Sequence, residues 1–303
     1  MDNTDMVRKK VALVTGGTSG IGLSLLPFLL QANYRIYFIG RNAAKGKEIE
    51  TKLNDEYNKN NSTSNNPREN DNPNKVATFV QLDLSDLDSV KAFAIKFREE
   101  IEPKLDLLAN IGGMMVPTRQ TIPKYGYEKT LAVNYLSAYI LSTELTPALC
   151  NAASNENKSR IVNIGGVGLD YRTDLEDLAS IKSPKKYDGM AVAVKTLHLK
   201  TVLTEILAER FKDKNITVNS FNPGTVKGNI TRDMNFVMRT LMSIVQLFWS
   251  STSANGIHLT TSDDVVNITG HYFDKKHVGI PIHFEDEYKD LLWNKTIEIT
   301  SKI

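Results

Sequence analysis

The chain has 303 residues, and 41% of them are hydrophobic, which is enough to form a sizeable core and excludes a disordered or fibrous protein. Its 37 Lys and Arg residues nearly balance its 35 Asp and Glu residues, so charge gives no support to nucleic acid as a partner. The single cysteine, Cys150, excludes an internal disulfide, and no Cys or His spacing suggests a metal site.

The first ten residues are polar and lead directly into a strand-like run, without the apolar core of a signal peptide. No uninterrupted apolar stretch reaches the roughly 18 residues that a membrane-spanning helix needs. We therefore expect a cytoplasmic protein that is not secreted.

Six apolar runs have the length of buried parallel strands, and segments with helical periodicity lie between them. This alternation predicts the α/β class, with a doubly wound parallel sheet (Rossmann fold) in a single domain over residues 8–303. Such a sheet binds ligands at the carboxyl ends of its strands, where the winding direction reverses. The runs are Val11–Thr15, Arg35–Gly40, Thr78–Leu82, Leu105–Ala109, Arg160–Ile164 and Thr217–Asn222.

A glycine-rich turn with the pattern GxxxGxG follows the first predicted strand, and a helical pattern from Leu23 to Leu30 follows the turn. Glycine suits such a turn because the backbone must approach a pyrophosphate and adopt conformations that a β-carbon obstructs. The start of the helix adds free N–H groups and the positive end of its dipole. The pattern predicts a dinucleotide site formed by Gly16, Thr18, Ser19, Gly20, Ile21 and Gly22.

Arg41 follows the second predicted strand. A carboxylate at this strand end would accept the ribose hydroxyls of NAD and repel a 2′-phosphate, whereas a guanidinium pairs with that phosphate. Arg41 therefore favours NADP(H) over NAD(H), although a solvated arginine is also typical of such a position.

Residues 54–75 contain no aliphatic side chain and many asparagines. Such a segment buries too little apolar surface to fold. We expect a disordered surface loop inserted before the third strand.

Residues 234–249 are apolar at helical spacing, within a predicted helical segment at about 230–250. Three interpretations stay open: a lid over the core or a substrate pocket, a peripheral contact with an ER or lipid-droplet surface, and a dimer contact. The chain is accordingly expected to be a monomer or a homodimer.

The segment Thr15–Gly22 matches TGxxxGIG, and the chain resembles the short-chain dehydrogenase/reductase family over about residues 9–295. Within it the chain resembles the retinol-dehydrogenase-like branch, whose tail is similar to residues 270–273 and 291–293. The resemblance implies hydride transfer between NADP(H) and an apolar aldehyde, ketone or alcohol, with a role in lipid metabolism. The further positions that it assigns to cofactor binding are Asp83, Leu84, Asn110, Gly112, Pro223, Gly224 and Val226.

The family's chemistry needs a tyrosine proton donor, a lysine four residues later, a serine that orients the substrate oxygen and an asparagine that helps to hold a relay water. Asn134 resembles that asparagine. The serine position is Gly166, and ungapped placement of the helix puts Ala193 at the tyrosine and Leu197 at the lysine.

Four neighbouring side chains are candidate substitutes. Lys195 points to the opposite side of the helix from Ala193, whereas Lys200 lies near the same face but about 10 Å along the axis, within reach of a cofactor ribose. A register shifted by two residues would use Lys195 and still lack a tyrosine, because Ala191 takes that position. The other two candidates are Tyr171 and Tyr187.

Three functional hypotheses remain open. The first is an NADP(H)-dependent oxidoreductase with a small apolar substrate. The alternative is a catalytically inactive pseudo-oxidoreductase that acts as a nucleotide-binding or scaffold protein, with no substrate. A third hypothesis, loss of the cofactor as well, rests on Ala109 and Gly228, which depart from the family's pattern.

Overall fold

An eight-stranded sheet organises the residues that this computed structural model describes, which are 8–61, 75–166, 172–176, 178–179, 187–224, 252–274 and 278–303. Its strand order is β10-β9-β8-β7-β4-β1-β2-β3, parallel except for the antiparallel pair β9–β10. The winding direction reverses between β1 and β4, which opens a crevice at their carboxyl ends. The strands are β1 Lys10–Val14, β2 Tyr34–Gly40, β3 Ala77–Gln81, β4 Leu107–Asn110, β7 Ser159–Ile164, β8 Ile216–Phe221, β9 His271–Phe273 and β10 Gly279–Pro281, and a separate hairpin joins β5 Thr121–Ile122 to β6 Tyr127–Glu128.

Helices cover both faces of the sheet. Alternate residues of β1 point to opposite faces, so Val11 and Leu13 join one apolar cluster while Ala12 and Val14 join the other. The helices are α1 Gly20–Gln31, α2 Ala43–Asn61, α3 Leu87–Lys96 with a π-helical turn Phe97–Ile101, α4 (Lys129–Leu131, the π-helical turn Ala132–Leu136 and Ser137–Glu144), α5 Thr146–Ala152, α6 Gly189–Arg210, α7 Ala254–Thr261 and α8 Asp286–Thr300. The first cluster lies under α3, α4, α6 and α8, and the second lies under α1, α2 and α7.

The predicted doubly wound parallel sheet is confirmed, and all six predicted strands occur, with each end within two residues of the predicted one. Two further strands, β9 and β10, were not predicted. Each has three residues, too few to show alternation. In addition, β10 contains Pro281, which has no N–H to donate to a ladder and is therefore tolerated only in an edge strand such as this one.

The predicted loop at residues 54–75 is wrong for residues 54–61, which continue helix α2. Asn54 explains the difference, because its side chain replaces the missing apolar contacts with hydrogen bonds. Its Oδ1 accepts from the N–H groups of Val76 (2.8 Å) and Ala77 (3.0 Å), and its Nδ2 donates to Glu50 O (2.8 Å) and Ala77 O (2.9 Å). The side chain thereby joins α2 to the start of β3.

Two predicted segments lie outside the described residues: the remainder of the asparagine-rich stretch (62–74) and the apolar segment at 230–250. The lid, the membrane-surface contact and the dimer contact therefore stay predictions. Among the helices that the structure describes, none is both long and apolar enough to cross a bilayer.

The C-terminal helix α8 holds α4 and α6 in place. Tyr135 on α4 is fully buried, and its hydroxyl lies 2.7 Å from Thr296 Oγ1 on α8. Lys289 on α8 contacts Glu205 (3.2 Å) and Glu209 on α6. These contacts matter for function because α6 carries the positions at which the family places its tyrosine and lysine.

We expect Asn54→Ala to lower the free energy of unfolding by about 2–3 kcal/mol, because two buried backbone N–H groups would lose their acceptor. The matched control is Asn151→Ala on α5, whose exposed side chain makes a single hydrogen bond to Pro103 O. Urea denaturation of both variants measures the difference. Equal stability losses would contradict the role given to Asn54.

Candidate functional site

The turn after β1 has glycine at positions where a side chain would be disfavoured or obstructed. Gly16 and Gly20 have φ angles of 70° and 53°, a region that side chains disfavour. A β-carbon at Gly22 would lie 2.5 Å from the Gly16 oxygen, and one at Gly16 would lie 2.9 Å from Cα of Gly112. The turn therefore folds tightly over the ends of β1 and β4.

The start of helix α1 is suited to an anion. Its first turn contains no acidic residue, and the side chain of the N-cap residue Ser19 makes no capping hydrogen bond. The first N–H groups of a helix have no partner within it, and its dipole adds positive potential at that end. Together with the glycine turn, these features fit a dinucleotide pyrophosphate, in which Ile21 contributes a backbone N–H group.

Thr15 fixes the geometry of the crevice. Its Oγ1 accepts from the N–H of Gly112 (2.8 Å) and donates to Ala109 O (3.3 Å). The residue that follows β1 is thus hydrogen-bonded to the end of β4 and to the segment after it, at the point where the winding direction of the sheet reverses.

Positive charge lies at the end of β2, next to the glycine turn. Thr18 packs against Gly40, so the turn and this strand end are in contact. Arg41 follows directly and is exposed. Asn42 Oδ1 then accepts from the N–H of Lys45 (3.0 Å) and caps helix α2. Lys45, in the first turn of α2, adds a second cation to this region, four residues after Arg41, and it was not among the predicted site residues.

Asp83 and Leu84 follow β3 at the same edge of the sheet. Asp83 Oδ1 accepts from both the N–H and the hydroxyl of Ser85, at 2.9 Å each, which closes a tight turn. Leu84 is buried, and its Cδ1 packs against Gly112. The contact of Asp83 with an adenine stays a prediction.

Asn110 directs its side chain into the core, away from the crevice. Its Nδ2 donates to Ser142 Oγ (3.1 Å) and to Asn163 Oδ1 (3.0 Å), and the Nδ2 of Asn163 donates to Thr204 Oγ1 (2.9 Å). This polar layer lies between the sheet and helices α4 and α6. Only the backbone of Asn110 is therefore at the edge where a cofactor would bind.

Asn134 lies in the π-helical turn of α4, a local geometry frequent at functional sites. Its Oδ1 accepts from Met114 N (2.8 Å), and its Nδ2 donates to Met114 O (3.0 Å) and to Thr196 Oγ1 (2.9 Å). The amide thus connects the segment after β4 to helix α6. Both amide protons are used in these contacts.

Gly166 lies at the end of β7, pressed against helix α6. A β-carbon there would lie 2.8 Å from the His198 nitrogen and 3.0 Å from Cβ of Leu197. Ala193, one turn earlier on α6, is buried and Leu197 is partly buried among apolar side chains. Serine, tyrosine and lysine are thus absent from the three positions where the family uses them.

Tyr272 on β9 is buried, and its hydroxyl donates to the carbonyl oxygen of Gly166. Burial raises the pKa of this hydroxyl. Tyr272 was not predictable as a site residue, because its proximity to Gly166 depends on the pairing of β8 with β9.

Three of the four candidate substitutes are Tyr187, Tyr171 and Lys195. Tyr187 donates to Glu128 Oε1 (2.9 Å), and burial together with the Glu128 charge raises its pKa to about 12. Tyr171 lies outside the described residues, and Lys195 is half-buried on α6.

Lys200 is different, because its ammonium is fully buried and donates to the backbone oxygen of Asn110 (3.4 Å). Burial lowers the pKa of Lys200 to about 7. Its side chain thereby reaches the end of β4.

Pro223 and Gly224 follow β8, where Gly224 has a φ of 70° and its N–H is bound by Asn222 Oδ1 (2.9 Å). Asn255 on α7 holds this turn, since its Nδ2 donates to the carbonyl oxygens of Asn222 (3.3 Å) and Asp274 (2.6 Å). Val226 and Gly228 lie outside the described residues. In the part of the chain that is described, no group of His, Cys, Asp or Glu could hold a metal ion.

Comparison with known proteins agrees with this geometry. The sequence profile of the family described as "short chain dehydrogenase" matches residues 10–173. Human polyprenol dehydrogenase is 25% identical over 96% of this chain and 85% of its own length. Retinol dehydrogenase 12 of Mus musculus is 27% identical over 96% of this chain and 86% of its own length.

Solved structures share the fold. An NADP complex of RhlG from Pseudomonas aeruginosa superposes with a TM-score of 0.64 at 24% identity, covering 89% of this chain and 95% of that chain. A 3-ketoacyl-(acyl-carrier-protein) reductase from Brucella melitensis in complex with NADH gives 0.60 at 18% identity, with coverage of 88% and 96%. The match over more than half of the chain, with the glycine turn at the switch point, shows that the protein belongs to the short-chain dehydrogenase/reductase family, and it is similar to the retinol-dehydrogenase-like branch.

Proposed function

We propose that this protein binds NADP(H) in the crevice between β1 and β4 and does not catalyse carbonyl reduction by the family's tyrosine-dependent route. It is then a pseudo-oxidoreductase, a nucleotide-binding or scaffold protein. The glycine turn, the start of α1 and the Thr15 contacts support retention of a dinucleotide. The dinucleotide, when bound, would supply or accept a hydride at its nicotinamide end.

The contact between Gly166 and helix α6 carries this proposal. A serine at residue 166 would place its β-carbon within 3.0 Å of the backbone of α6. Real side chains do not tolerate such distances, so the helix occupies the space that the family's serine would need. Close packing of the α6 backbone against residue 166 therefore accompanies the absence of the three side chains.

Proton transfer is also unsupported at residue 193. Loss of a positioned general acid costs about 10²–10⁴ in rate, and loss of an oxyanion-type donor costs a similar factor. The two losses overlap and are not multiplied. Asn134 supplies no replacement, because both of its amide protons are held by Met114 and Thr196.

NADP(H) is favoured over NAD(H) by the charge at the end of β2. Arg41 is exposed at the strand end, and the ion pairs around Glu50 further along α2 use Lys47 and Lys75, not Arg41 or Lys45. A guanidinium can bind a 2′-phosphate with two charge-assisted hydrogen bonds.

A second candidate function is hydride transfer with an apolar aldehyde, ketone or alcohol. It is favoured by the names of the curated relatives, which are polyprenol and retinol dehydrogenases. It is also favoured by Tyr272, whose hydroxyl lies against the backbone of Gly166, the position of the family's serine. A substrate would have to displace the hydrogen bond between them.

We expect NADPH to bind and carbonyl substrates to be reduced at least 10²-fold more slowly than about one turnover per second, because the proton donor is missing. Fluorescence titration measures NADPH binding, and absorbance follows its oxidation with retinal, decanal and a steroid ketone. Turnover near one per second would overturn the proposal in favour of the second candidate. Absence of NADPH binding would overturn both.

We expect Arg41→Ala to weaken NADPH binding by about 10- to 100-fold and to leave NADH binding nearly unchanged, because only NADPH carries the 2′-phosphate. Lys212→Ala is the charge control, since it removes an exposed cation in the turn before β8. This turn lies at the amino ends of the strands, whereas the crevice lies at their carboxyl ends. Titration with both nucleotides gives the ratio of their Kd values. An unchanged ratio in Arg41→Ala would assign the preference to another residue.

We expect Gly166→Ala to lower the free energy of unfolding by about 1–3 kcal/mol, because the new methyl group meets the backbone of α6. The matched control is Gly113→Ala, where the nearest atom to a new β-carbon lies 3.5 Å away, an ordinary contact. Denaturant titration compares the two variants. Equal stability would show that α6 yields easily and that a serine could fit.

A further inference from the structure

Helices α1 and α7 contain no Asp, Glu, Lys or Arg. These four residue types make up 24% of the chain, yet none occurs among the 12 residues of α1 or the 8 residues of α7. Two other surface helices differ, since eight of the 19 residues of α2 and six of the 15 residues of α8 are charged. A helix that faces water normally carries charged residues on its outer side. The composition of α1 and α7 is therefore that of helices whose outer side is covered.

Helix α4 has a similar composition and is covered. Its residues 130–143 include no charged side chain, and residues 130–142 are all buried. Helices α3, α6 and α8 pack against it, and α8 does so through Thr296 on Tyr135 and Trp293 on Tyr139. In α4, absence of charge thus accompanies burial of the helix by its neighbours.

Helices α1 and α7 lie side by side on the other face of the sheet. Their contact is close because Gly256 on α7 has no side chain, and a β-carbon there would lie 3.2 Å from Cδ2 of Leu25 on α1. The side of α1 that points away from the sheet carries Ser24, Pro27 and Gln31, spaced three and four residues apart. Pro27 and Gln31 are exposed.

The accessible residues of the two helices form one uncharged surface, which we call the α1/α7 face. Pro27 and Ala254 are exposed, so no element among the described residues covers them. Apolar side chains that are partly buried surround them. The apolar residues of the face are Leu23, Pro27, Phe28 and Leu30 on α1 and Ala254 and Ile257 on α7.

The absence of charge favours a second copy of the chain as the partner. A two-fold contact uses the same surface on both molecules, so a residue near the axis meets its own copy. A charged residue at that point would meet a like charge and weaken the contact. A partner of different sequence imposes no such requirement, because it can supply the opposite charge.

A lipid surface is disfavoured by the charges that follow the two helices. Protein surfaces that bind membranes usually carry Lys or Arg beside their apolar residues, because anionic lipids attract them. The chain continues with Asn33 after α1 and with the exposed Asp263 and Asp264 after α7. Carboxylates at this place would repel an anionic lipid surface.

We propose that two copies of the chain associate through the α1/α7 face, with Pro27 near the two-fold axis. The helices of the two copies then pack across the axis at the spacing of about 8–10 Å that packed helices adopt. Two short helices from each copy form a small interface, so we expect a Kd in the micromolar range. This association does not rest on the proposed nucleotide binding.

Sedimentation velocity of the wild type from about 1 to 200 µM tests the association. We expect a monomer at the lowest concentrations and a dimer at the highest, because a micromolar Kd lies between them. A monomer at every concentration would overturn the proposal.

Charged substitutions of Pro27 test the face. Pro27→Glu and Pro27→Lys each place like charges near the axis, so each variant alone should dimerise at least about tenfold more weakly than the wild type. An equimolar mixture of the two variants should dimerise again, because opposite charges then meet. Pro27→Ala is the matched control, since it keeps the position uncharged and should dimerise as the wild type does. Proline is the residue least suited to a helix interior, so these substitutions do not weaken α1.

Leu291→Glu is the control on another surface, because Leu291 is 45% exposed on α8. This variant should dimerise as the wild type does. If Pro27→Glu leaves the dimer intact, or if the mixture of the two charged variants stays monomeric, the contact lies elsewhere and the proposed face is overturned. The concentration series on the wild type does not depend on the folding of any variant.

Discussion

Backbone-to-backbone contact at glycine residues determines both halves of the crevice. At Gly16 the backbone of the first turn meets the backbone of Gly112, which leaves the start of α1 open to a phosphate. At Gly166 the backbone of β7 meets helix α6, which leaves no room for a side chain. The absence of a β-carbon at Gly16 therefore keeps the pyrophosphate end of the site open, and its absence at Gly166 lets α6 close the end where the reaction would occur.

The close approach of α6 depends on the helix that covers it. Glu205 accepts a hydrogen bond from Phe284 N (2.8 Å) and forms an ion pair with Lys289. Helix α8 and the segment before it therefore fix the outer face of α6. Thr196 and Thr201 fix its inner face through Asn134 and the N–H of Gly166. A helix held on both faces in this way can carry a buried ammonium that an isolated helix would turn towards solvent.

The sheet was predictable from the sequence because apolar strands alternate with amphipathic helices, and the glycine turn was predictable because its spacing reflects a local backbone requirement. The end of α2 was not, since a helix stabilised by Asn54 hydrogen bonds leaves no hydrophobic pattern. The absence of serine, tyrosine and lysine from residues 166, 193 and 197 was also evident from the sequence. The closure at Gly166, the burial of Lys200 and the approach of Tyr272 were not, because they depend on distances between segments far apart in the chain.

The four hydrogen bonds of Asn54 have a consequence for engineering. They join residue 54 of α2 to residues 76 and 77 at the start of β3, so these two points of the chain are fixed to each other by one polar junction. A change of length between the two points then need not alter the register of β2 with β3. A peptide tag inserted there would leave the crevice unaltered, because the crevice lies at the far end of the same strands.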